Sequence, residues 1–275
     1  MYLCRWSKEA RMSGNEAFEL VSERGWNRGL GTMLRSGLDR WFKTKMWWIQ
    51  CLIWGSLIGF ILAAIAFSPE TPPAEELLIL FAVFAGLFPA VGVIIIMQDA
   101  LVGEKREGTA AWVLSKPLTR PAFVVSKIIA NSAGIIITMI LVPCLLAYAI
   151  ITISTKSSLN PLGFLESMGV IFISHFFFLA LTLMLGTFFD SRGPVIGIPL
   201  GILFMQQNLI GFIPALGNVL PWSLVIPLGN TPSLALSLLM KIPVQPSQLI
   251  TLVAVLVESI LFILIGLWRF NREEF

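Results

Sequence analysis

Long apolar runs alternate with shorter polar segments along the whole of this 275-residue chain. A helix of about 20 apolar residues is long enough to cross the ~30 Å hydrocarbon core of a bilayer. The pattern therefore predicts an all-α, polytopic membrane protein with a six-helix transmembrane domain over residues 46–268. The predicted spans are 46–67, 77–98, 122–153, 164–189, 194–214 and 248–268.

The segment 29–45, before the first span, places apolar and charged residues on opposite faces of a helix. This spacing predicts an amphipathic helix lying in the membrane interface, preceded by a polar tail at 1–28. The alternative is that the segment is a basic flank that only sets the orientation of the first span. The apolar face comprises Leu30, Met33, Leu34, Leu38, Trp41 and Phe42, and the charged face Arg35, Asp39, Arg40 and Lys43.

The polar loop 99–121, between the second and third spans, contains a short helix of its own. Gly108 can end the preceding helix by adopting a positive φ, and Thr109 can cap the next one through its hydroxyl. The helix that follows carries Trp112 and Leu114. Because so short a helix is not stable alone in water, we expect it to lie against a separate protein.

Two further features are unusual, one in the segment after the fifth span and one within the last two spans. The segment 215–247 is apolar but interrupted by prolines, which predicts re-entrant pieces that dip into the outer leaflet. Amides and carboxylates inside spans are costly unless they face protein or water. The predicted translocation-path residues are therefore Gln206, Gln207 and Asn208 in the fifth span and Glu258 in the sixth.

The distribution of charge orients the chain. Of the 19 Lys and Arg residues, 17 lie on one side if the chain crosses six times, and only Lys156 and Lys241 lie on the other. By the positive-inside rule, both termini, including the tail 269–275, are predicted to be cytoplasmic. The three cysteines offer no external disulfide, since Cys4 is inside and the other two lie in spans. We expect a multi-pass protein of the cell (inner or plasma) membrane.

The sequence lacks the motifs of catalysis. There is no phosphate loop, HExxH, GxSxG or cysteine pair at metal spacing, so we expect no enzyme activity and no cofactor or metal in this chain. One alternative is an ion-coupled secondary transporter that uses Glu258 as a proton site. A single mid-span acid and the absence of a detectable repeat argue against it. His175 lies at a similar depth, which suggests a contact with Glu258; a protonated Glu258 bonded to a backbone carbonyl is the alternative.

The polar loop carries Glu104, Glu107, Gly108 and Thr109, then Ser115, Pro117 and Arg120, and then Lys127 at the start of the third span. This loop resembles that of the permease subunits of ABC-2-type exporters, whose members are similar to E-x-E/R-x-GT, then S-x-P-x-x-R, then a Lys that opens the third span. The resemblance extends over roughly residues 27–275, including the segments RGWNRGLGTMLRSGLDRWFKTKMWW and WRFNREEF, and the importer permease signature is missing.

The resemblance implies a dimer of six-span permeases, either identical or related, with two cytoplasmic ABC ATPase subunits that hold ATP–Mg. Residues 104–115 would form the coupling helix that fits a groove on the ATPase, and 29–45 the connecting helix that also touches it. Spans 2 and 5 would line the path, 215–247 would form the external gate, and membrane lipids, not nucleic acid, would surround the rest. The implied coupling residues are Glu104, Glu107, Gly108, Thr109, Trp112 and Leu114.

Overall fold

The computed structural model describes residues 25–115, 118–229 and 231–273, without the side chains of Ala110, Ala111 and Leu114. Most of the predicted tail 1–28, together with Cys4 and Pro117, lies outside these ranges. Within the described residues the chain is helical, with no strand beyond a single bridge between Leu228 and Thr231.

The helices follow one another with short connections. We number them α1 Leu30–Phe42, α2 Met46–Ala66, α3 Ala74–Arg106, α4 Thr109–Leu114, α5 Arg120–Thr155, α6 Pro161–Phe188, α7 Arg192–Phe212, α8 Trp222–Val225, α9 Leu234–Met240 and α10 Pro246–Asn271. Six of them (α2, α3, α5, α6, α7 and α10) are long and apolar enough to cross a membrane. The predicted all-α fold with six membrane-spanning helices is confirmed. We call the end carrying α1 and α4 the inner end, and the opposite end the outer end.

Helix α6 is the centre of the bundle. It packs mainly against α10, α3 and α9, and most of its residues are buried. Along α10 one stripe of residues faces the bundle, whereas the opposite face is exposed and apolar. An exposed apolar face of this kind suits contact with lipid or with another membrane helix.

Helix α1 is amphipathic, as the sequence predicts, and its apolar face packs on the inner half of α5. Trp41 is buried and donates its indole N–H to Oδ1 of Asn131 at 3.0 Å. The indole ring lies directly over Gly134, and Gly37 faces Ala130. Small residues at these two positions let the two backbones approach. Helix α1 is therefore packed against the helical bundle, in addition to any contact with the membrane interface.

Helix α3 continues past the predicted end of the second span at residue 98. A π-helical turn at Asp99–Gly103 leads into a last α-helical turn, Glu104–Arg106. Leu101 is buried against Gly186 of α6, so this turn contributes to the core instead of forming a loop. The prediction from the sequence assigns residues 99–103 to the polar loop because four charged residues, 104–107, follow them directly. Helix α5 contains a second π-helical stretch, Ile136–Leu141. Such turns inside α-helices frequently occur at functional sites.

The outer end is closed by the segment 215–247, which is predicted from the sequence to form apolar re-entrant pieces. Buried residues of α9 pack against α6 and α3, and Gly163 of α6 lies directly against the carbonyl of Leu238. Two side-chain amides hold the segment. Gln206 accepts a bond from the Trp222 backbone at 3.0 Å, and Gln248 donates to the Pro232 carbonyl at 2.7 Å. These contacts attach 215–247 to α7 and α10.

Candidate functional site

The short helix α4 stands apart from the six spans and is positioned by local hydrogen bonds. Gly108 adopts a φ of +70°, the positive value that the sequence predicts, and its N–H donates to the Lys105 carbonyl at 3.2 Å. The predicted capping role of Thr109 is wrong. Thr109 is the first residue of the helix, and its hydroxyl donates back to the Glu104 carbonyl at 3.1 Å. That bond fixes the angle between α3 and α4.

Trp112 is the prominent apolar side chain of α4. It is 63% exposed, although large aromatic residues are usually well buried. Together with Val113 and Leu118 it forms one wall of a groove of about 440 Å³, whose other wall is α1 around Met33. The predicted coupling residue Leu114 also belongs to α4, but its side chain lies outside the described part of the structure.

The start of α1 holds the far side of this groove in place. Thr119 donates through its hydroxyl to the Trp26 carbonyl and through its N–H to the Arg28 carbonyl, the second bond measuring 3.3 Å. Gly29, with a φ of +79°, lies directly against Leu118, so a side chain there would collide with it. Helices α1 and α4 therefore form one continuous surface at the inner end.

Glu104 lies beneath this surface and makes its contacts within the chain. Its carboxylate pairs with Lys127 of α5 and lies 3.9 Å from Arg40 of α1. The side chains of Glu104 and Lys127 are only 19% and 16% exposed. Glu107 is exposed beside them. Of the two predicted carboxylates, one therefore ties α3 to α1 and α5, and the other faces outward.

Lys105 connects the same turn to more distant helices. Its ammonium lies 2.5 Å from Glu273, just after α10, and 3.4 Å from Asp190, in the turn between α6 and α7. The Lys105 side chain is only 6% exposed. Arg120, at the start of α5, donates to the Asn271 carbonyl at 2.7 Å. The end of α3 is thus bound to the inner ends of α5, α6, α7 and α10.

Asp99 adds a further link. It accepts a bond from Arg40 at 3.2 Å and, through its other oxygen, one from Arg192 of α7 at 3.3 Å. Reasoning from the sequence did not single out Asp99, Arg40, Asp190, Arg192 or Glu273 as functional. The only sequence signal is that each lies on the charged face of the predicted amphipathic helix or close to the inner end of a predicted span. We call the whole set the inner ion-pair network: Arg40, Asp99, Glu104, Lys105, Lys127, Asp190, Arg192 and Glu273.

The residues predicted to line a path do not lie together. Gln206 is buried and holds the Trp222 backbone, whereas Gln207 and Asn208 are exposed on α7. Glu258 is partly buried on α10. The helices that carry His175 and Glu258 do pack together, but among the described residues these side chains form no hydrogen bond or ion pair.

His175 faces a different helix from the one predicted. It is fully buried, and its ring lies against the backbone of Ala85 in α3 without a hydrogen bond of ordinary geometry. The predicted contact with Glu258 is therefore wrong. Equal depth along two helices does not fix the direction in which a side chain points, because that depends on the rotation of each helix about its axis.

Comparison with known protein families identifies the family to which this chain belongs. A family model described as ABC-2 family transporter protein matches residues 54–275, which is most of the chain. No curated protein shows a significant match. Such permeases are membrane subunits that generally lack an ATPase motif of their own, and their family implies association with ABC ATPase partners. The chain belongs to the ABC-2 transporter family, and it is a multi-pass permease of an ABC transporter.

Proposed function

We propose that this permease exports its substrate from the cytoplasm and is driven by a separate cytoplasmic ABC ATPase that binds the surface formed by α1 and α4. The observation that carries the proposal is that α4, with Trp112 exposed, directly follows the end of α3. The inner ion-pair network joins that end of α3 to α1, to α5, to the turn between α6 and α7, and to the end of α10. A displacement of α4 would therefore act on spans and not only on a loop. In this scheme Glu107, Gly108, Thr109, Trp112 and Leu114 belong to the contact surface, and Glu104 positions it.

The ATPase supplies the chemistry in this scheme. Its subunits hold ATP–Mg, and their closure on ATP pushes α4 against the permease. The energy available to switch the permease is the difference in how tightly the closed ATPase binds its inward-open and outward-open forms. A rigid connection serves this purpose because packed helices and ion pairs transmit a discrete displacement better than a flexible loop would.

A second permease subunit, identical or related, completes the path. Gln207 and Asn208 are exposed on α7, and amides facing lipid inside a membrane are costly. Placing α3 and α7 of two copies around a shared path would give these amides polar surroundings. The closed outer segment 215–247 would then act as the external gate, with Glu258 at the margin of the path.

Co-purification tests the proposal directly. Tagged permease, co-expressed with a candidate ABC ATPase from the same genome, should retain that ATPase in detergent. Inverted vesicles containing both should accumulate substrate with ATP and lose this activity with vanadate. A permease that transports without any ATPase, and that a proton ionophore stops, would instead be a secondary transporter using Glu258.

The proposed orientation predicts a labelling pattern. Single cysteines are introduced at Glu75, which lies at the outer end of α3, and at Lys105, which lies at its inner end. In intact cells an impermeant maleimide is expected to label the Glu75 position strongly. The buried Lys105 position should react only after the membrane is permeabilised and the protein is denatured. Labelling at Lys105 but not at Glu75 in intact cells would invert the orientation and remove the ATPase from α4.

Replacing Gly108 with proline is expected to uncouple transport. Proline requires a φ near −65°, whereas Gly108 has +70°, and the change also removes the N–H that binds the Lys105 carbonyl. Helix α4 should therefore leave its present angle, and ATP-driven export should fall at least about tenfold. Gly108→Ala is the matched control, because it keeps the N–H and no atom lies within 4 Å of the added carbon. Strain of about 1 kcal/mol should leave that variant mostly active.

A further inference from the structure

A cavity of about 510 Å³ opens at the inner end of the bundle, between α1, α3 and α7. Two arginines, Arg40 and Arg192, line it together with the apolar residues Ile95, Ile96 and Ile196. The volume lies within the range of about 300–1,000 Å³ that is typical of small-molecule pockets. The cavity thus combines cationic with apolar lining residues.

The position of the cavity along the membrane normal follows from its lining. Met46 is the first residue of α2, Gln98 lies at the last turn of the apolar part of α3, and Arg192 is the first residue of α7. Trp47 and Trp48, next to Met46, are exposed in the way that is typical of residues at the headgroup level. The arginines therefore lie at the level of the lipid headgroups. The isoleucines lie about one helical turn deeper, toward the acyl chains.

The two guanidinium groups retain capacity to bind an anion. Each gives one hydrogen bond to Asp99, at 3.2 and 3.3 Å, and a guanidinium has five N–H donors. Their side chains are 51% and 49% exposed. Asp99 compensates one of the two positive charges and holds the groups side by side. Glu104 lies 3.9 Å from Arg40, but its carboxylate is shared with Lys127. Arg192 also lies in the first turn of a 21-residue helix, where the helix dipole favours a negative ligand.

Gln98 gives a second and independent indication of a ligand. Its side chain lines the cavity and is 3% exposed, yet it forms no side-chain hydrogen bond within the described part of the chain. Asn131, the other amide at the cavity, is satisfied by Trp41 and by the Lys127 carbonyl. Because the Gln98 amide makes no hydrogen bond within the described residues and borders the cavity, it is available to a polar ligand there.

We propose that this cavity binds the anionic headgroup of an amphiphile from the inner leaflet. A phosphate or carboxylate would accept hydrogen bonds from Arg40, Arg192 and Gln98, and an acyl chain would lie along Ile95, which is 51% exposed, and Ile196. Paired guanidinium groups suit a phosphate because each can donate two parallel bonds. A free phosphate would share the polar contacts but would leave the apolar lining residues unused.

The proposal goes beyond ATPase-driven export and is tested on the permease alone. Purified full-length protein in neutral detergent is titrated with phosphatidylglycerol, phosphatidylcholine and inorganic phosphate, and bound adducts are counted by native mass spectrometry. Phosphatidylglycerol is expected to bind at least about tenfold more tightly than phosphatidylcholine. Inorganic phosphate should neither bind at similar concentration nor displace it. Retention of the ATPase by the same preparations reports separately on the proposed function.

Three variants distinguish lipid binding in the cavity from attraction of the lipid by general surface charge. Arg192→Ala should weaken phosphatidylglycerol binding about tenfold, and it avoids disturbing Glu104, which Arg40 also approaches. Arg35→Ala removes the same charge from the exposed face of α1 and should change nothing. Ile196→Trp fills the apolar side at constant charge and should also weaken binding, provided that gel filtration shows an intact protein.

Three results would overturn the proposal. Equal losses for Arg192→Ala and Arg35→Ala would mean that only surface charge attracts the lipid. Unchanged binding in Ile196→Trp would place the lipid elsewhere. Tight binding of inorganic phosphate, with displacement of phosphatidylglycerol, would assign the cavity to a free anion and not to an amphiphile.

Discussion

Replacing Trp112 with alanine is expected to weaken association of the permease with its ATPase by at least about 30-fold. The indole is 63% exposed beside the groove between α1 and α4, where a partner would bury it. Truncation of a buried aromatic anchor at an interface typically costs ~2 kcal/mol or more. Each 1.4 kcal/mol changes a dissociation constant about tenfold. Export should fall in parallel, whereas the six spans should insert and fold normally because α4 is not one of them.

The measurement is retention of the ATPase by tagged permease across a concentration series, together with ATP-driven uptake into inverted vesicles. Trp48→Ala is the matched control, since Trp48 is also exposed but lies at the start of α2, away from α4. Glu258→Gln should likewise leave association intact. If Trp112→Ala binds the ATPase as tightly as Trp48→Ala does, the surface formed by α1 and α4 is not the docking site.

The spans could be predicted from the sequence because the physical signal is strong and local. About 20 apolar residues in a row have few alternatives to a membrane helix. The positive φ of Gly108 could be predicted for a similar reason, because glycine adopts that conformation without steric cost. Thr109 is a harder case. Whether a threonine caps a helix or begins it depends on where the preceding helix ends, and α3 extends eight residues beyond the predicted boundary at residue 98.

The roles of the charged residues could not be predicted in this way. Glu104 and Glu107 are three residues apart in one polar stretch, and the sequence treats them alike. Their difference arises because Lys127 and Arg40 approach only the first of them. Such a pairing depends on how three helices are placed. Periodicity within one helix does not contain that information.

The same limit applies to the path residues. The sequence shows that Gln206, Gln207 and Asn208 are amides inside a span, but three consecutive residues of a helix point in three directions, about 100° apart. The structure turns Gln206 toward the segment at the outer end and leaves the other two exposed. A role of the exposed pair in transport is a prediction of the proposed dimer.

Reversing one charge of the pair between Glu104 and Lys127 is expected to abolish most ATP-driven export. Breaking a buried ion pair costs about 3–5 kcal/mol and an exposed one about 1 kcal/mol or less. This pair lies between those limits, since its side chains are 19% and 16% exposed. In Glu104→Lys the new ammonium would also face Arg40, so the end of α3 should separate from both α1 and α5. We expect export to fall at least about tenfold.

The double variant Glu104→Lys/Lys127→Glu is the decisive comparison. It restores opposite charges across the same two helices, so it should recover most of the export that either single variant loses, with only the repulsion from Arg40 remaining. Glu75→Lys reverses the charge of an exposed residue at the outer end of α3 and controls for the change in net charge. This variant should leave export nearly unchanged. Because Glu104 lies beneath the docking surface, the single variants should lose export more than they lose ATPase binding. Equal activity of the single and double variants would mean that this pair does not hold α3 in the position that transport requires.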